Sequence, residues 1–455
     1  MEYILSGDDF KKMRKICFGT DGIRAEVGTE LTPKIAFSIG ASLREIYGKR
    51  LRIAVGMDTR ISSPMLSAAL ISGLLSSGCE AHILGVMPTP AVAYLIDKLS
   101  LDLGIVITAS HNPFRDNGIK IIGRCAEKCS PAVERKIEEY IIGVRLPRFV
   151  SGAEVGRAYM REGEARSYLG FLGERFSGVG RGLVVGLDAA NGAGYSLSAK
   201  ALELSGCRLV TVGNTPDGIN INDKNGSLYP DAIARVTKER GLDIGIALDG
   251  DGDRCIAVDE RGRVVDGDGI LYILSMYKRD RGVLRNNRIA ATVTSNAALA
   301  AALKKEGIDV SVTSVGDRAV ADRMREADIS LGGESSGHII DSDILPTGDG
   351  TATALSLLKV MSETGKSLSS LLSGFEPYPS VSISVAVKNK ENALASESVL
   401  EAKARAEAIV GDEGRVLLRA SGTENKIRIL AECLDKESCR MAAEIIEKAI
   451  TRERG

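Results

Sequence analysis

Short apolar runs alternate with longer stretches of helical periodicity along most of this 455-residue chain. Such alternation predicts strands separated by helices, and therefore mainly parallel sheets of the α/β class. The pattern occurs three times, at residues 52–113, 183–254 and 288–338. Each copy is predicted to run strand, helix, strand, helix, strand, and then to enter a polar loop. The chain is therefore predicted to contain three similar α/β domains.

The pattern changes from about Ser373, where period-two alternation precedes a helical stretch, a further strand pair and a charged helix. This arrangement predicts a smaller α+β domain at the carboxyl end. Ligands of parallel sheets bind beyond the carboxyl ends of the strands, so we expect the polar loops to face a central cleft. The predicted domains are residues 1–152, 153–254, 255–372 and 373–455.

The loop "DGDGDR" ends the second copy and places Asp249, Asp251 and Asp253 at alternate positions. In an extended chain these three side chains would lie on one face and repel one another unless a cation separated them. An oxygen-only ligand set suits a hard cation such as Mg²⁺. A calcium-binding EF-hand loop is the alternative, but it requires Gly at the position of Arg254, and strands rather than helices are predicted on both sides.

The loop "TASHNPFRDNGIK" ends the first copy. Ser110 is a candidate nucleophile or phosphate carrier, with His111 and Lys120 available for proton transfer. A serine beside a histidine is weak evidence alone, but this pair follows the strand equivalent to the one before the aspartates. A phosphate on Ser110 would complete the coordination of the predicted metal.

Two further loops suit a phosphorylated, hydroxyl-rich ligand. "GGESSGH" ends the third copy and offers polar side chains between glycines, which allow close backbone approach. "RASGTEN", in the last domain, combines a guanidinium, hydroxyls and backbone amides, as phosphate cradles do. Near the amino end, Arg24 in "FGTDGIR" is a candidate anion contact. A plain polar turn is the alternative for each loop.

Composition removes several functional classes. The formal net charge is −1, no basic block occurs, Trp is absent and aromatic residues make up 4%, so a nucleic-acid partner is not expected. No uninterrupted apolar run is long enough to span a membrane. The first residues lack the basic-then-apolar order of a signal peptide, and we expect a cytoplasmic protein.

Taken together, the loops "TASHNP", "DGDGDR", "GESSGH" and "RASGTEN" resemble, in this order, those of the α-D-phosphohexomutase superfamily. The resemblance covers nearly the whole chain. It implies a heart-shaped enzyme of four domains that moves phosphate between the 6-position and the 1-position of a hexose. A hexose bisphosphate is the implied intermediate and activator.

The resemblance also implies roles for individual residues. Ser110 would be the phosphoserine and, with the three aspartates, a ligand of Mg²⁺. The implied acid/base or cationic groups are His111, Lys120, Arg24 and Arg254. The implied substrate-binding residues are Glu334, Ser336 and His338, Gly316 and Asp317 in "TSVGDRAV", and the phosphate clamp of Arg419, Ser421, Gly422 and Thr423.

Several segments, among them "PDGININDKNGSLYPDAI", are most similar to the branch that interconverts glucosamine 6-phosphate and glucosamine 1-phosphate. Ser335 departs from that branch, where Gln or Asn is more common. A phosphomannomutase/phosphoglucomutase with the same mechanism is the alternative. A metal-dependent phosphatase and a non-catalytic sugar-phosphate binding protein are more distant possibilities, and either a monomer or a homodimer is compatible with the sequence.

Overall fold

The computed structural model describes residues 17–19, 21–411, 414–421 and 425–452. These residues form two compact units. The first comprises the chain up to Val293 together with Ser311–Leu371, and the second comprises Thr294–Val310 and the chain from Leu372 onward. The division into four domains at the boundaries given above stays a prediction.

Three mixed sheets follow one another along the chain. The strands of the first are β1 (Ile23–Glu26), β2 (Arg52–Met57), β3 (Glu80–Val86), β4 (Leu103–Ile107), β5 (Asp116–Gly123) and β6 (Ala158–Met160). The second contains β7 (Val184–Asp188), β8 (Arg208–Val212), β9 (Ile244–Leu248), β10 (Cys255–Val258) and β11 (Val264–Val265). The third contains β12 (Arg288–Thr292), β13 (Asp309–Thr313), β14 (Leu331–Gly333) and β15 (Ile339–Asp341).

The strand orders are β1-β5-β4-β2-β3-β6, β11-β10-β9-β7-β8 and β13-β12-β14-β15. Each sheet therefore contains the same arrangement, in which the first strand of the repeat lies between the second and the third. In the first two sheets these neighbours are parallel, and β12 is also parallel to β14. The predicted α/β class and the threefold repeat are confirmed.

The polar loop of each repeat leads into an antiparallel strand, which the sequence pattern did not predict. β4 pairs with β5, β9 with β10, and β14 with β15 in this way. Each loop therefore joins a parallel strand to its antiparallel neighbour. All residues of β4 and β9 are buried, so the polar side chains that follow them begin at the edge of a buried core.

Helices connect the strands of the repeats. They are α1 (Pro33–Tyr47), α2 (Ser63–Ser76), α3 (Thr89–Lys98), α4 (Pro131–Ile141), α5 (Ala165–Phe176), α6 (Gly194–Leu204), α7 (Asp231–Arg240), α8 (Gly267–Asp280), α9 (Ala297–Lys305), α10 (Asp317–Glu326), α11 (Gly350–Thr364) and α12 (Leu368–Leu371). In the described part of the chain, no helix combines the length and apolar character needed to cross a membrane.

The carboxyl-terminal part forms a small antiparallel sheet covered by helices, as the change of pattern predicted. Its strands β16 (Ser380–Ala386), β17 (Arg415–Ala420) and β18 (Lys426–Glu432) have the order β16-β18-β17. Its helices are α13 (Lys390–Ala395), α14 (Glu397–Val410) and α15 (Lys436–Arg452). Apolar faces of α14, α15 and the sheet form its core.

A buried carboxylate begins α11 in the first unit. Asp349 accepts a hydrogen bond from the amide of Ala352 (2.9 Å), as expected for a helix N-cap. It also accepts one from the hydroxyl of Tyr168 on α5 (2.8 Å), so the same carboxylate joins two helices. Burial raises the pKa of Asp349 to about 6, although these hydrogen bonds oppose the shift.

This pKa leads to an expected pH dependence of stability. Unfolding restores an ordinary aspartate pKa of about 3.9, so the unfolded state loses its proton first as the pH rises. The neutral form therefore stabilises the fold at pH 4, and this contribution is lost between about pH 4 and 6. As the pH is raised from 4 to 7, wild type is expected to lose this contribution and Asp349→Asn is not. The free energy of unfolding of Asp349→Asn minus that of wild type should therefore rise by roughly 3 kcal/mol over this range.

Urea unfolding across this pH range measures the difference. The exposed Asp231→Asn is the control for a change of net charge. A difference between Asp349→Asn and wild type that stays constant from pH 4 to 7 would contradict the assignment.

Candidate active site

The three aspartates predicted to form a metal site do converge, but through a turn and not an extended strand. One oxygen of each carboxylate lies within 4.8 Å of the others, and all three side chains are buried. The amide of Gly252 donates to the carbonyl of Asp249 (3.1 Å), and Gly252 has a φ of 71°, which favours glycine. Strands β9 and β10 flank the loop, so the EF-hand alternative is excluded.

The chemistry of this cluster fits a divalent cation. Among the described residues, Oδ1 of Asp251 and Oδ1 of Asp253 are buried without a hydrogen-bond partner. Burial and the charges of Asp253 and Asp251 together raise the pKa of Asp249 well above its usual range. A hard cation bound by these oxygens would compensate the charge, and oxygen ligands are those that Mg²⁺ and Ca²⁺ prefer.

Ser110 lies directly against the cluster. Its hydroxyl donates to Oδ2 of Asp249 at 2.6 Å, and its Oγ lies 3.2 Å from Nδ1 of His111. Ser110 is almost fully buried and has a φ of 51°, which is uncommon for a residue with a side chain. The loops that end the first and second repeats therefore meet at this hydroxyl.

Lys120 joins these loops to the amino-terminal segment. Its ammonium lies 2.7 Å from Oδ2 of Asp251, which also accepts a hydrogen bond from the hydroxyl of Thr89 (2.6 Å). The same ammonium lies 2.8 Å from Oδ2 of Asp21 and 3.2 Å from Oδ2 of Asp253. Lys120 belongs to a ring of six side chains in which cations and carboxylates alternate and each contacts the next. This charge ring consists of Lys120, Asp21, Lys128, Asp317, His338 and Asp253.

The remaining contacts of the charge ring are made by Lys128 and His338. The ammonium of Lys128 lies 2.8 Å from Oδ1 of Asp21 and also forms an ion pair with Asp317. The imidazole of His338 lies between two carboxylates, with Nε2 3.8 Å from Oδ2 of Asp317 and Nδ1 3.7 Å from Oδ1 of Asp253. Each charge in the ring therefore has an opposite charge on both sides.

Neighbouring charges give the two histidines opposite protonation behaviour. Burial and the guanidiniums of Arg254 and Arg24 lower the pKa of His111 to about 4, so it is neutral at pH 7. Burial alone would also lower the pKa of His338, but the carboxylates of Asp253 and Asp317 raise it to about 9. Similarly, Asp21, Asp251 and Asp253 raise the pKa of Lys120 well above its usual range despite its burial.

The predicted sugar loop lies between β14 and β15. Oε1 of Glu334 accepts a hydrogen bond from the amide of Gly316 (3.0 Å), so two of the predicted substrate-binding residues are in direct contact. Glu334, Ser335 and Ser336 are half-buried, whereas His338 is buried in the charge ring. The loop between β14 and β15 thus contains a half-buried carboxylate, two half-buried serines and the buried His338.

The two predicted active-site arginines contact different carboxylates of the site. A guanidinium nitrogen of Arg24 lies 2.5 Å from Oδ2 of Asp21, and the amide of Arg254 donates to Oδ1 of Asp249 (3.1 Å). In the described part of the chain, the Nε atoms of both arginines are buried without a hydrogen-bond partner. Such donors suit a phosphate group.

The predicted phosphate clamp belongs to the second unit. Arg419 is the second-to-last residue of β17, and its strand partner is Arg428 on β18. Burial and the charge of Arg428 lower the pKa of Arg419. The carbonyl of Ser421 accepts a hydrogen bond from Lys390 (2.8 Å). Gly422 and Thr423 lie outside the described residues.

Asp21, Thr89 and Lys128 also belong to the site, although the sequence did not predict them. Asp21 belongs to the quoted segment "FGTDGIR", in which only Arg24 carries the charge expected of an anion contact. Lys128 is 107 residues from its partner Asp21, and Thr89 is 162 residues from Asp251. No local pattern marks pairs at such separations.

The chain matches four family models in order. The model described as Phosphoglucomutase/phosphomannomutase, alpha/beta/alpha domain I, matches residues 15–145, domain II matches 167–262, domain III matches 266–378 and the C-terminal domain matches 383–449. Together these ranges include most of the chain.

Curated relatives match over nearly their full length. Phosphoglucosamine mutase of Geobacillus thermodenitrificans (strain NG80-2) is 43% identical over 445 residues, which cover 96% of this chain and 99% of that protein. The protein of the same name from Geobacillus kaustophilus (strain HTA426) is 44% identical over 450 residues, with coverage of 96% and 99%.

Solved structures show the same fold. A Phosphoglucomutase/phosphomannomutase family protein from Burkholderia thailandensis has a TM-score of 0.81 at 25% identity, covering 97% of both chains. Aspergillus fumigatus N-acetylphosphoglucosamine mutase, in complex with GlcNAc-6P and magnesium, has a TM-score of 0.69 at 17% identity, covering 98% of this chain and 97% of that one. These matches confirm the resemblance inferred from the loops, and the chain belongs to the phosphoglucomutase/phosphomannomutase family of α-D-phosphohexomutases.

Proposed function

We propose that the protein interconverts glucosamine 6-phosphate and glucosamine 1-phosphate through a phosphorylated Ser110. The observation that carries the proposal is the hydrogen bond of 2.6 Å between the Ser110 hydroxyl and Asp249, within a buried cluster of carboxylates. The substrate follows from the curated relatives, which are phosphoglucosamine mutases at 40–44% identity.

Asp249, Asp251 and Asp253 are proposed to hold Mg²⁺ together with an oxygen of the Ser110 phosphate. The Oδ1 atoms of Asp251 and Asp253, which accept no hydrogen bond among the described residues, support this ligand set. Bound there, Mg²⁺ would stabilise negative charge on the transferring phosphoryl group. Arg24 and Arg254, whose buried Nε atoms have no hydrogen-bond partner among the described residues, would contact phosphate oxygens.

The proposed reaction has two phosphoryl transfers. In the first, the bond between phosphorus and Oγ of Ser110 breaks as a bond to a sugar hydroxyl oxygen forms, the sugar hydroxyl loses its proton, and Oγ of Ser110 takes one up. The product is a hexose bisphosphate, which reorients in the site. In the second, its other phosphate moves to Oγ of Ser110, which loses its proton, and the released sugar oxygen takes up a proton. The enzyme is thereby restored with no net change in phosphate.

His111 is proposed to carry the proton in these steps. It is neutral at pH 7 because of its pKa of about 4, and its Nδ1 lies 3.2 Å from Oγ of Ser110. Lys120 and His338 remain cationic, because the carboxylates around them raise their pKa values. These two cations would therefore stabilise phosphate charge and would not act as bases.

Glu334 and Ser336 are proposed to bind sugar hydroxyls. Gly316 and Asp317 are proposed to belong to the same substrate-binding region. The hydrogen bond between the Gly316 amide and Glu334 supports this assignment. Arg419, Ser421, Gly422 and Thr423 are proposed to bind the phosphate that is not reacting. Ser335, inside the sugar loop, departs from the residues common in the glucosamine branch. A phosphomannomutase/phosphoglucomutase is therefore the second candidate function.

The first experiment compares Mg²⁺-dependent turnover of glucosamine 6-phosphate, glucose 6-phosphate and mannose 6-phosphate. We expect a preference for the amino sugar, and Ser110→Ala is expected to fall below about one-thousandth of wild-type turnover. The exposed Ser151→Ala is the matched control. Preference for another hexose would favour the second candidate, and activity of Ser110→Ala would exclude the phosphoserine mechanism.

Glu334→Gln is expected to weaken substrate binding. A hydrogen bond to a charged group contributes about 1.5–3 kcal/mol, so KM should rise roughly 10- to 100-fold while kcat changes less. Steady-state kinetics with glucosamine 6-phosphate measure both constants, and Glu326→Gln on the exposed end of α10 is the control. Unchanged KM would remove Glu334 from the sugar site.

Lys120→Met is expected to destabilise the fold, because it removes the ammonium that pairs with the buried carboxylate of Asp251 and one of the two cations beside Asp253. Removing one partner of a buried ion pair typically lowers the free energy of unfolding by about 3–5 kcal/mol. Mg²⁺ should restore more stability to this variant than it adds to wild type. Urea unfolding with and without Mg²⁺ measures both effects.

The control for Lys120→Met is Lys49→Met, which breaks the exposed ion pair with Asp102 (2.8 Å). Exposed pairs contribute less than about 1 kcal/mol, and Mg²⁺ should not alter this loss. Equal losses in the two variants would contradict the importance of Lys120 to the buried cluster.

A further inference from the structure

The backbone of the loop that carries Ser110 is held by a buried arginine from another loop. Arg60 follows β2, is almost fully buried, and contacts no part of the carboxylate cluster described above. One guanidinium nitrogen, Nη2, donates to the carbonyls of Ser110 (3.0 Å) and Asn112 (2.8 Å). The other, Nη1, donates to the carbonyls of Pro113 and Asp116.

Every hydrogen-bond donor of this guanidinium is in use. Nε of Arg60 donates to Oδ2 of Asp58 (2.9 Å), so this carboxylate balances the buried charge and the other four N–H groups bind loop carbonyls. Arginine has five side-chain donors in a fixed plane, whereas lysine has three on a single nitrogen. No other side chain could bind all four carbonyls and the carboxylate together.

A second side chain, Asn222, binds the same loop from the other side. Its Nδ2 donates to the carbonyls of Ser110 (2.9 Å) and Asn112 (3.0 Å), the two that Nη2 of Arg60 also binds. Asn222 lies in the segment "NINDKNG", which no step of the proposed reaction uses. Its φ of 57° is a conformation that asparagine tolerates better than most residues.

The metal loop contacts the same carbonyl. A Cβ atom at Gly250 would lie 2.4 Å from the carbonyl oxygen of Ser110 and 2.8 Å from Nδ2 of Asn222, so only glycine fits there. The carbonyl of Ser110 is therefore the point where three loops meet, while its hydroxyl binds Asp249. Because the left-handed conformation of Ser110 is unfavourable in isolation, it persists only where its surroundings enforce it.

We propose that Arg60 and Asn222 are positioning residues that fix Oγ of Ser110 for phosphoryl transfer. The inference rests on the proposed function, in which the same oxygen must serve two transfers with the sugar in two orientations. Phosphoryl transfer depends on alignment of the attacking and leaving oxygens, and a displacement of about 1 Å can lower the rate about 100-fold. Neither residue is proposed to touch the substrate, so substrate affinity should be retained.

The test uses two substitutions of Asn222 in the full-length enzyme. Asn222→Asp keeps the shape but places an acceptor against the two carbonyls, and Asn222→Gly removes the amide while tolerating the positive φ. For both we expect kcat to fall roughly 10- to 100-fold with KM within about twofold of wild type. Arg60→Lys, which keeps the charge but has too few donors, is expected to act in the same direction.

A single-turnover measurement checks the chemical step directly. Dephosphorylated enzyme is mixed with glucose 1,6-bisphosphate and Mg²⁺, and the phosphate on Ser110 is followed by intact-protein mass. The rate of phosphate transfer should fall by the same factor as kcat in each variant. Asn220→Asp is the control, because its side-chain amide donates to the carbonyl of Thr215 on its own loop.

The outcomes separate the inference from the proposed function. Absence of mutase turnover and of Ser110 phosphorylation in wild type would reject the proposed function itself. If wild type is active but both Asn222 variants retain its kcat and transfer rate, the positioning role is overturned, even where thermal unfolding shows lower stability. A rise in KM with kcat unchanged would also overturn it, because such a result indicates substrate binding.

Discussion

Burial of several carboxylates in one small volume is the constraint on which the site depends. Asp249, Asp251 and Asp253 lie within 4.8 Å of one another at the end of a fully buried strand, where ionised groups lose their hydration. The fold offsets this with Lys120, which contacts two of these aspartates and Asp21. The carboxylate cluster is therefore stabilised by a cation from a distant part of the sequence, because a buried charge without a partner is strongly destabilising.

The charge ring also explains how one fold repeated along the chain produces a single site. Each repeat ends a parallel strand in a polar loop and returns as an antiparallel strand, so the three loops are equivalent in the fold but differ in chemistry. Ion pairs then connect them: Lys120 follows the first loop, Asp253 belongs to the second and His338 to the third. Ion pairs thus connect loops that belong to three different sheets.

The sequence allowed prediction of the repeat and of the loops because both follow local patterns. The fully apolar β4 and β9, each followed by polar residues, are visible in the printed sequence. The shared face of the aspartates was predicted from alternate positions in an extended chain, whereas in the structure the turn at Gly252 brings them together. Lys128 and Arg60 could not be predicted, since their importance arises from contacts with residues 50 or more positions away.

His111 and His338 are both buried, but the charges that act most strongly on them differ in sign. Burial and the guanidiniums of Arg254 and Arg24 keep His111 neutral, whereas His338 lies between two carboxylates and stays cationic. Burial alone would make both neutral, so the sign of the adjacent charges decides each role. A reaction in which phosphate leaves and returns to one oxygen requires a proton carrier and fixed cations together, which are the roles proposed above for His111 and for Lys120 with His338.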